Sequence, residues 1–274
     1  MVKTILKKKL LVVGLLLMTM TLIMAVFAPL IAPNDPLQLN PADKFATPSS
    51  LFPLGTDQLG RCVFSRLVYG ARYSLVIAIP TLTILAVIGV GLGSLMAFKG
   101  GIIDRILVVF CDIFGAFPSM IIIIALVGIL GNSVTNIIIA AIISSGAYYI
   151  RIGRGYSKAE AGKDYIIGAK IAGCSDFQIV TKHIIPNILP TFAIFVSSGV
   201  SSVILMVAGF SYLGVGLETG IPEWGAMLTE AKSFLYTAPH LIIYPGLFIF
   251  LAAAGFTFFA EGLRDLLSAE DTSV

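Results

Sequence analysis

Chemistry on nucleotides, metals or covalent intermediates needs particular side chains at particular spacings, and this chain supplies few of them. Its nearest approach to a phosphate-cradling loop is Gly162-Lys163-Asp164. That run lacks both the upstream glycine and the hydroxyl that would hold magnesium in G-x-x-x-x-G-K-[S/T]. The two histidines, His183 and His240, are far apart, and neither H-E-x-x-H nor a nucleophile elbow is present. Cys62, Cys111 and Cys174 are scattered, which supports neither a disulfide framework nor a thiolate metal site. Asp112 is the sole charged residue between Ile106 and Ile150. An ionisable group in so apolar a stretch is a functional candidate by default, or else it bonds a neighbouring helix. No second carboxylate accompanies it to make a proton relay. These residues form no catalytic constellation and give the chain no means of its own to use ATP. If it moves a solute actively, the energy enters through another protein.

The elements that must position these residues are set by composition. Of 274 residues, 57% are hydrophobic and only 12% charged, and the mean hydropathy is +0.98. Soluble domains carry about 25% charged residues. Charge is absent from Leu10 to Asn34 and from Tyr73 to Phe98, and Asp, Glu, Lys and Arg are absent from 184–217 and 233–260. A helix crosses a bilayer in about 20 apolar residues, so these blocks predict six transmembrane helices in an all-α integral membrane protein. Lipid offers backbone groups no water, which makes a helical bundle the expected solution. The spans fall at about 10–32, 74–98, 106–130, 134–150, 188–210 and 240–260, with Gly131–Asn136 as the turn after the third. An outer segment covers 33–73, and 151–187 is a second polar segment. The whole of 1–274 reads as a single membrane domain.

Lys3, Lys7, Lys8 and Lys9 resemble the basic start of a signal peptide. The apolar run behind them is too long, and Ala28-Pro29-Leu30 is a poor cleavage site, so an anchor helix is expected. With the N-terminus inside, 13 of the 18 Lys and Arg fall on the cytoplasmic side. Both termini are then cytoplasmic. The net charge of +3 reflects topology rather than nucleic-acid binding. Arg61, Arg66 and Arg72 run against this trend, which predicts structural pairing, with Asp57 as one candidate partner.

The segment 164–190, DYIIGAKIAGCSDFQIVTKHIIPNILP, interrupts the apolar blocks. Lys158 to Cys174 predicts one helix, with Ala161, Tyr165, Gly168, Ala169 and Ala172 on a face of mostly small side chains. Gly173 suits the left-handed position that closes a helix. Ser175 with Gln178 is a capping-box pair for a new helix, which Pro186 and Pro190 punctuate before the fifth span. The segment therefore reads as helix, glycine corner, helix, with a solvated loop as the alternative.

The same segment resembles the signature loop of permease subunits of bacterial ATP-binding-cassette (ABC) importers. Gly168-Ala169, Gly173 and the ending KHIIPNILP occupy matching positions, with Ile167 where a glutamate is common. APLIAPNDP (28–36), PLGTDQLGRCVFSRLVYGARYSL (53–75), PEWGAMLTEAKSFLYTAPHLIIYPGL (222–247) and EGLRDLL (261–267) extend the likeness over nearly the whole chain. They resemble the C-type permease of the dipeptide, oligopeptide and nickel importer family. Cys62 and Glu261 stand where aspartate is usual. The resemblance implies a type I importer permease fold and docking of an ATPase through Asp164, Tyr165, Gly168, Ala169, Gly173, Ser175, Pro186, Asn187 and Pro190. It also implies a second, B-type permease, two ABC ATPase subunits that use ATP and Mg, and an extracytoplasmic substrate-binding protein. The site is the bacterial cytoplasmic membrane.

Asp112, Met206 and Glu261 are further pathway or structural candidates. No catalytic residue and no metal site is expected, and the methionines are scattered. Gly89 and Gly93 form G-x-x-x-G, a pattern for close helix contact within the chain or with a partner. Pro80, Pro118 and Pro245 are candidate kinks. Trp224 reads as an interfacial anchor or as a contact for a substrate-delivering protein, and His240 as a polar loop residue. The substrate is nickel, a metal chelate or a short peptide, and VAGFSYLGVG (207–216) resembles nickel-type members. A passive channel and a membrane-embedded enzyme are the competing classes.

Overall fold

A computed structural model describes residues 2–218 and 220–271, and the side chains of 9–218 and 220–266. Lys3, Lys7 and Lys8 lie outside the described side chains. The protein is all-α: α1 (Val2–Val26), α2 (Ala28–Ile31), α3 (Val63–Lys99), α4 (Gly101–Gly115), α5 (Ser119–Leu130), α6 (Val134–Ala161), α7 (Asp164–Ile171), α8 (Asp176–Ile179), α9 (Ile185–Tyr212), α10 (Trp224–Ala231) and α11 (His240–Asp271). Five helices among the described residues are long and apolar enough to cross a membrane, or six if the bent pair α4–α5 is one span. The chain is a multi-pass membrane protein.

Several helices outrun the apolar blocks that predict them. The helix holding 74–98 starts at Val63, so Arg66 and Arg72 are helical rather than part of an outer loop. The helix holding 134–150 continues to Ala161. The stretch 106–130 is not one straight helix, because α4 and α5 meet at 80°. Pro118 stands at that break. Its ring disfavours helical backbone at the preceding residue, Phe117, and it has no N–H to donate. Helix continues through Pro80 and Pro245.

The chain divides into two compact units. The first comprises Met1–Ile79, Leu130–Ile137 and Ser198–Val274, and the second Pro80–Ile129 and Ile138–Ser197. In the first, α1 lies against α11 along a glycine seam. A Cβ on Gly14 would come within 2.3 Å of the Phe259 nitrogen, and one on Gly255 within 2.8 Å of the Met18 nitrogen. Such approach gains the dispersion contact that drives helix association in lipid. Ser201 donates to the Ala253 carbonyl at 2.9 Å and accepts from Thr257 at 2.8 Å, pinning α9 to α11.

The second unit is organised by the crossing of α3 with α6. A Cβ on Gly153 would fall 2.1 Å from the Gly89 oxygen, and one on Gly93 2.5 Å from the Arg154 nitrogen. The G-x-x-x-G pair thus packs within the chain. Ser94 and Ser157 share a buried hydrogen bond of 2.7 Å at the same crossing. Beside it, α4 packs on α6 through Cys111, Ala147 and Ile150.

Candidate functional site

The polar segment between α6 and α9 is a chain of short helices with defined joints. Helix α6 ends at Ala161, Lys163 is extended, and α7 starts at Asp164. The single helix predicted from Lys158 to Cys174 is therefore broken at Gly162-Lys163, and Ala161 does not share a helix with Tyr165. The break closes on Glu160, a residue only 8% exposed. Its carboxylate accepts from the Tyr165 hydroxyl at 2.5 Å and pairs with Lys163 at 2.8 Å. Burial, then the adjacent Glu160 carboxylate, pushes the Tyr165 phenol up to about 12.

Past Ile171 the chain turns at Gly173, whose φ of +84° is a conformation that side chains disfavour. Ser175 caps α8 with the full reciprocal box: Gln178 N–H donates to the Ser175 hydroxyl, and the Gln178 side chain accepts from Ser175 N–H at 2.9 Å. The helix does not stop at the prolines. It passes from α8 through a π-helical turn at Val180–Ile184 into α9, with Ile185 N–H reaching back to the Val180 carbonyl. The widened turn sits just ahead of Pro186, which has no N–H to give a regular ladder. Asn187 donates to the His183 carbonyl at 2.6 Å across the same turn.

This segment exposes apolar side chains on either side of the Gly173 corner, Ile167 and Ile171 outside the span candidates and Phe177 in the first turn of one, Asp176–Tyr212. Ile171 is 83% exposed and Phe177 69%, on either side of the Gly173 corner, with Ile167 also exposed. Gly168, Gly173, Ser175, Pro186, Asn187 and Pro190 are exposed, as is Asp164, while Ala169 is half-buried. Ile166 points inward and is fully buried. Ile171 and Phe177 were not singled out from the sequence. Their signal is two large apolar residues flanking a glycine corner, in a stretch interrupted by charged residues.

Unit one holds a contrasting cluster. Arg61 and Arg66, 2% and 1% exposed, share Asp57 and Glu230. Arg61 Nε donates to Asp57 at 2.7 Å, and Arg66 Nη1 donates to Asp57 at 2.6 Å and Glu230 at 2.9 Å. Arg61 also pairs with Glu230. Asp57 Oδ1 accepts the Leu59 and Arg61 N–H groups, which shapes the turn of LGTDQLGR. Gly60 in that turn has φ +76°, and a Cβ there would overlap the Asn40 carbonyl. Asp57 is thus the partner anticipated for these arginines, and Glu230 is one that sequence spacing could not show.

Trp224 is 1% exposed and its indole donates to the Leu67 carbonyl at 2.9 Å. It is a core residue of unit one, neither an interfacial anchor nor an accessible contact. Beside it, Glu223 caps α10 by accepting from Gly225 and Ala226 N–H at 2.9 Å each. Burial pushes its carboxyl above the usual range, against those N–H groups and the Ser211 hydroxyl, which hold it down.

The remaining candidates are separate from one another. Asp112 pairs with Arg151 on α6, and both side chains are more than half exposed. One helical stretch away, Asp104 makes a two-point pair with Arg154 at 2.5 Å per bond. Met206 is half-buried on α9, and Glu261 is exposed on α11. Unit two also carries an apolar groove between α3 and α9, lined by Val87, Val90, Leu189, Phe192, Val196 and Ser197 among others. Those residues include no charged group. Among the described residues, no three His, Cys, Asp or Glu side chains are grouped to hold a metal ion.

Comparison with known proteins gives a consistent family. Residues 89–270 match the family described as "Binding-protein-dependent transport system inner membrane component". Residues 1–48 match "N-terminal TM domain of oligopeptide transport permease C". The chain is 36% identical over 265 residues to the dipeptide transport system permease protein DppC of Alkalihalophilus pseudofirmus, covering 97% of this chain and 87% of that relative. It is 39% identical over 220 residues to the glutathione transport system permease protein GsiD of Pectobacterium atrosepticum, covering 80% and 73%. To GsiD of Escherichia coli it is 35% identical over 253 residues, covering 92% and 84%.

Proposed function

The chain belongs to the inner-membrane components of binding-protein-dependent transport systems, as a C-type permease of the peptide ABC importer family, and from that premise we propose that it imports short peptides as half of a two-permease pathway. The transport component is not itself an enzyme. A B-type permease supplies the other half, two ABC ATPase subunits hydrolyse ATP with Mg, and an extracytoplasmic binding protein delivers the peptide. The assembly sits in the bacterial cytoplasmic membrane with both chain termini inside.

The observation that carries the coupling role is the exposed pair Ile171 and Phe177 about the Gly173 corner. Ile171 lies outside the span candidates and Phe177 at the polar start of one, and exposed large apolar side chains in such a place favour burial against a protein surface. Short helices fixed by a capping box are stiff enough to carry a displacement. Asp164, Gly168, Ala169, Gly173 and Ser175 lie in the part that meets the ATPase, Tyr165 in the joint behind it, tied to Glu160, and Pro186, Asn187 and Pro190 in the part that passes motion into α9. Nucleotide state and permease conformation are then linked reciprocally.

Peptide is favoured over nickel or a metal chelate because the relatives described above are dipeptide and glutathione permeases. The nickel reading draws on the likeness of residues 207–216. The test is reconstitution in proteoliposomes with the partner permease, ATPases and binding protein, followed by uptake of a labelled dipeptide. ATP-dependent uptake is expected. Uptake without the ATPases would make the chain a passive channel, and conversion of the peptide without transport would make it an embedded enzyme. Retention of nickel rather than peptide by the binding protein would overturn the substrate class.

A further inference from the structure

The coupling segment is fastened to the ends of three long helices by side chains that the docking role itself does not require. The Tyr165 hydroxyl reaches back to Glu160 at the end of α6. The Tyr165 ring lies 6.4 Å from the ring of His183, in the π turn that leads into α9. At the other end of α7, the Lys170 ammonium stands 4.5 Å from the centroid of Phe98, at the end of α3. The outward residues Ile167 and Ile171 take no part in these ties.

Glu160 is the telling member. A carboxylate so little exposed is costly to desolvate and is retained only where it is paired and hydrogen-bonded. Both of its partners, Lys163 and Tyr165, lie across the break between α6 and α7. Without them, α7 would hang from α6 through Gly162 and the extended Lys163, a flexible joint that absorbs motion instead of passing it on. We propose that Tyr165 and Glu160 form a latch that transmits movement of the docked α7 helix into α6 and, through the Tyr165–His183 ring contact, into α9. They are positioning residues for ATP-driven transport, distinct from the surface that holds the ATPase. This inference rests on the docking role proposed above.

The test uses the complete transporter in proteoliposomes and reads peptide taken up per ATP hydrolysed. Tyr165→Phe keeps the ring and loses the hydroxyl, and Glu160→Gln keeps an acceptor but loses the charge. Each is expected to retain ATPase subunits at wild-type stoichiometry and to hydrolyse ATP, while uptake per ATP falls several-fold. The double variant should fall by less than the two single effects combined, because both act on one contact. Glu160→Asp, with its charge kept, should recover part of the ratio. An unchanged ratio in both single variants overturns the latch, as does a fall matched by loss of ATPase from the complex, which marks a merely structural role. Ile171→Glu is measured in parallel to separate the two ideas. If it leaves the ATPase bound, the docking role fails; if it releases the ATPase while the latch variants couple normally, only the latch fails.

Discussion

Two regions of this protein solve the problem of polar groups in an apolar chain in opposite ways. Around Asp57, Arg61, Arg66 and Glu230, four charges neutralise one another in a nearly water-free interior. Around Gly173, the charges stay at the surface and large apolar side chains join them there. The first arrangement pairs its own charges, with Arg66 Nε and Nη2 left without a hydrogen-bond partner, so its contribution is to hold the 56–66 turn against the α10 end of unit one. The second leaves large apolar area exposed, which is the surface on which the proposed docking rests. Sequence likeness to the importer family extends over both regions, and the structure separates a buried, paired region from an exposed, apolar one.

The comparison breaks most sharply at Arg66. Removing one partner of a buried pair strands a charge, which costs about 3–5 kcal/mol. Arg66→Ala should therefore lower the unfolding midpoint of the purified chain steeply, as followed by thermal denaturation in detergent. Next is Trp224→Phe, which removes the buried indole bond to the Leu67 carbonyl and part of a packed ring, at an expected cost of about 1–3 kcal/mol. Within the coupling segment, Ser175→Ala removes a helix cap worth about 1 kcal/mol. Hydrogen exchange should quicken at the start of α8 while unit one stays unaltered. The smallest effect belongs to Asp112→Asn. Its pair with Arg151 is more than half exposed, and exposed pairs contribute about 0–1 kcal/mol. A large loss of stability there would show that the pair is enclosed in the assembled transporter.

Legibility in the sequence followed the range of the interaction. Apolar runs long enough to span lipid can be read directly because lipid demands them. The Gly173 corner and the Ser175–Gln178 cap were equally plain, since both are settled within four residues. The break at Gly162-Lys163 was not, because the surrounding Ala, Lys, Glu and Ile are all good helix formers. The contacts at the joint are close in sequence, with Glu160 holding Lys163 and Tyr165 three and five residues on, but the burial of Glu160 that gives them weight comes only from the fold. Pro118 signalled a kink, but its 80° bend depends on packing around the break. Glu230 lies 164 residues from Arg66, beyond any local pattern. Trp224 misled for the same reason: beside Pro222 and Glu223 it reads as a surface anchor, and only the fold encloses it.

The central claim is that the segment from Asp164 to Pro190 receives the work of ATP hydrolysis from a separate subunit. Gly173→Asp tests it most directly, since it places a side chain in a left-handed corner that is exposed and touches nothing else in this chain. The measurement is the amount of ATPase that co-purifies with the permease pair, read beside the thermal stability of the variant chain. The expected result is loss of most of the ATPase and of ATP-driven uptake, with membrane insertion and the unfolding midpoint close to wild type. Wild-type levels of bound ATPase, with normal stimulation of hydrolysis by peptide and binding protein, would contradict the account.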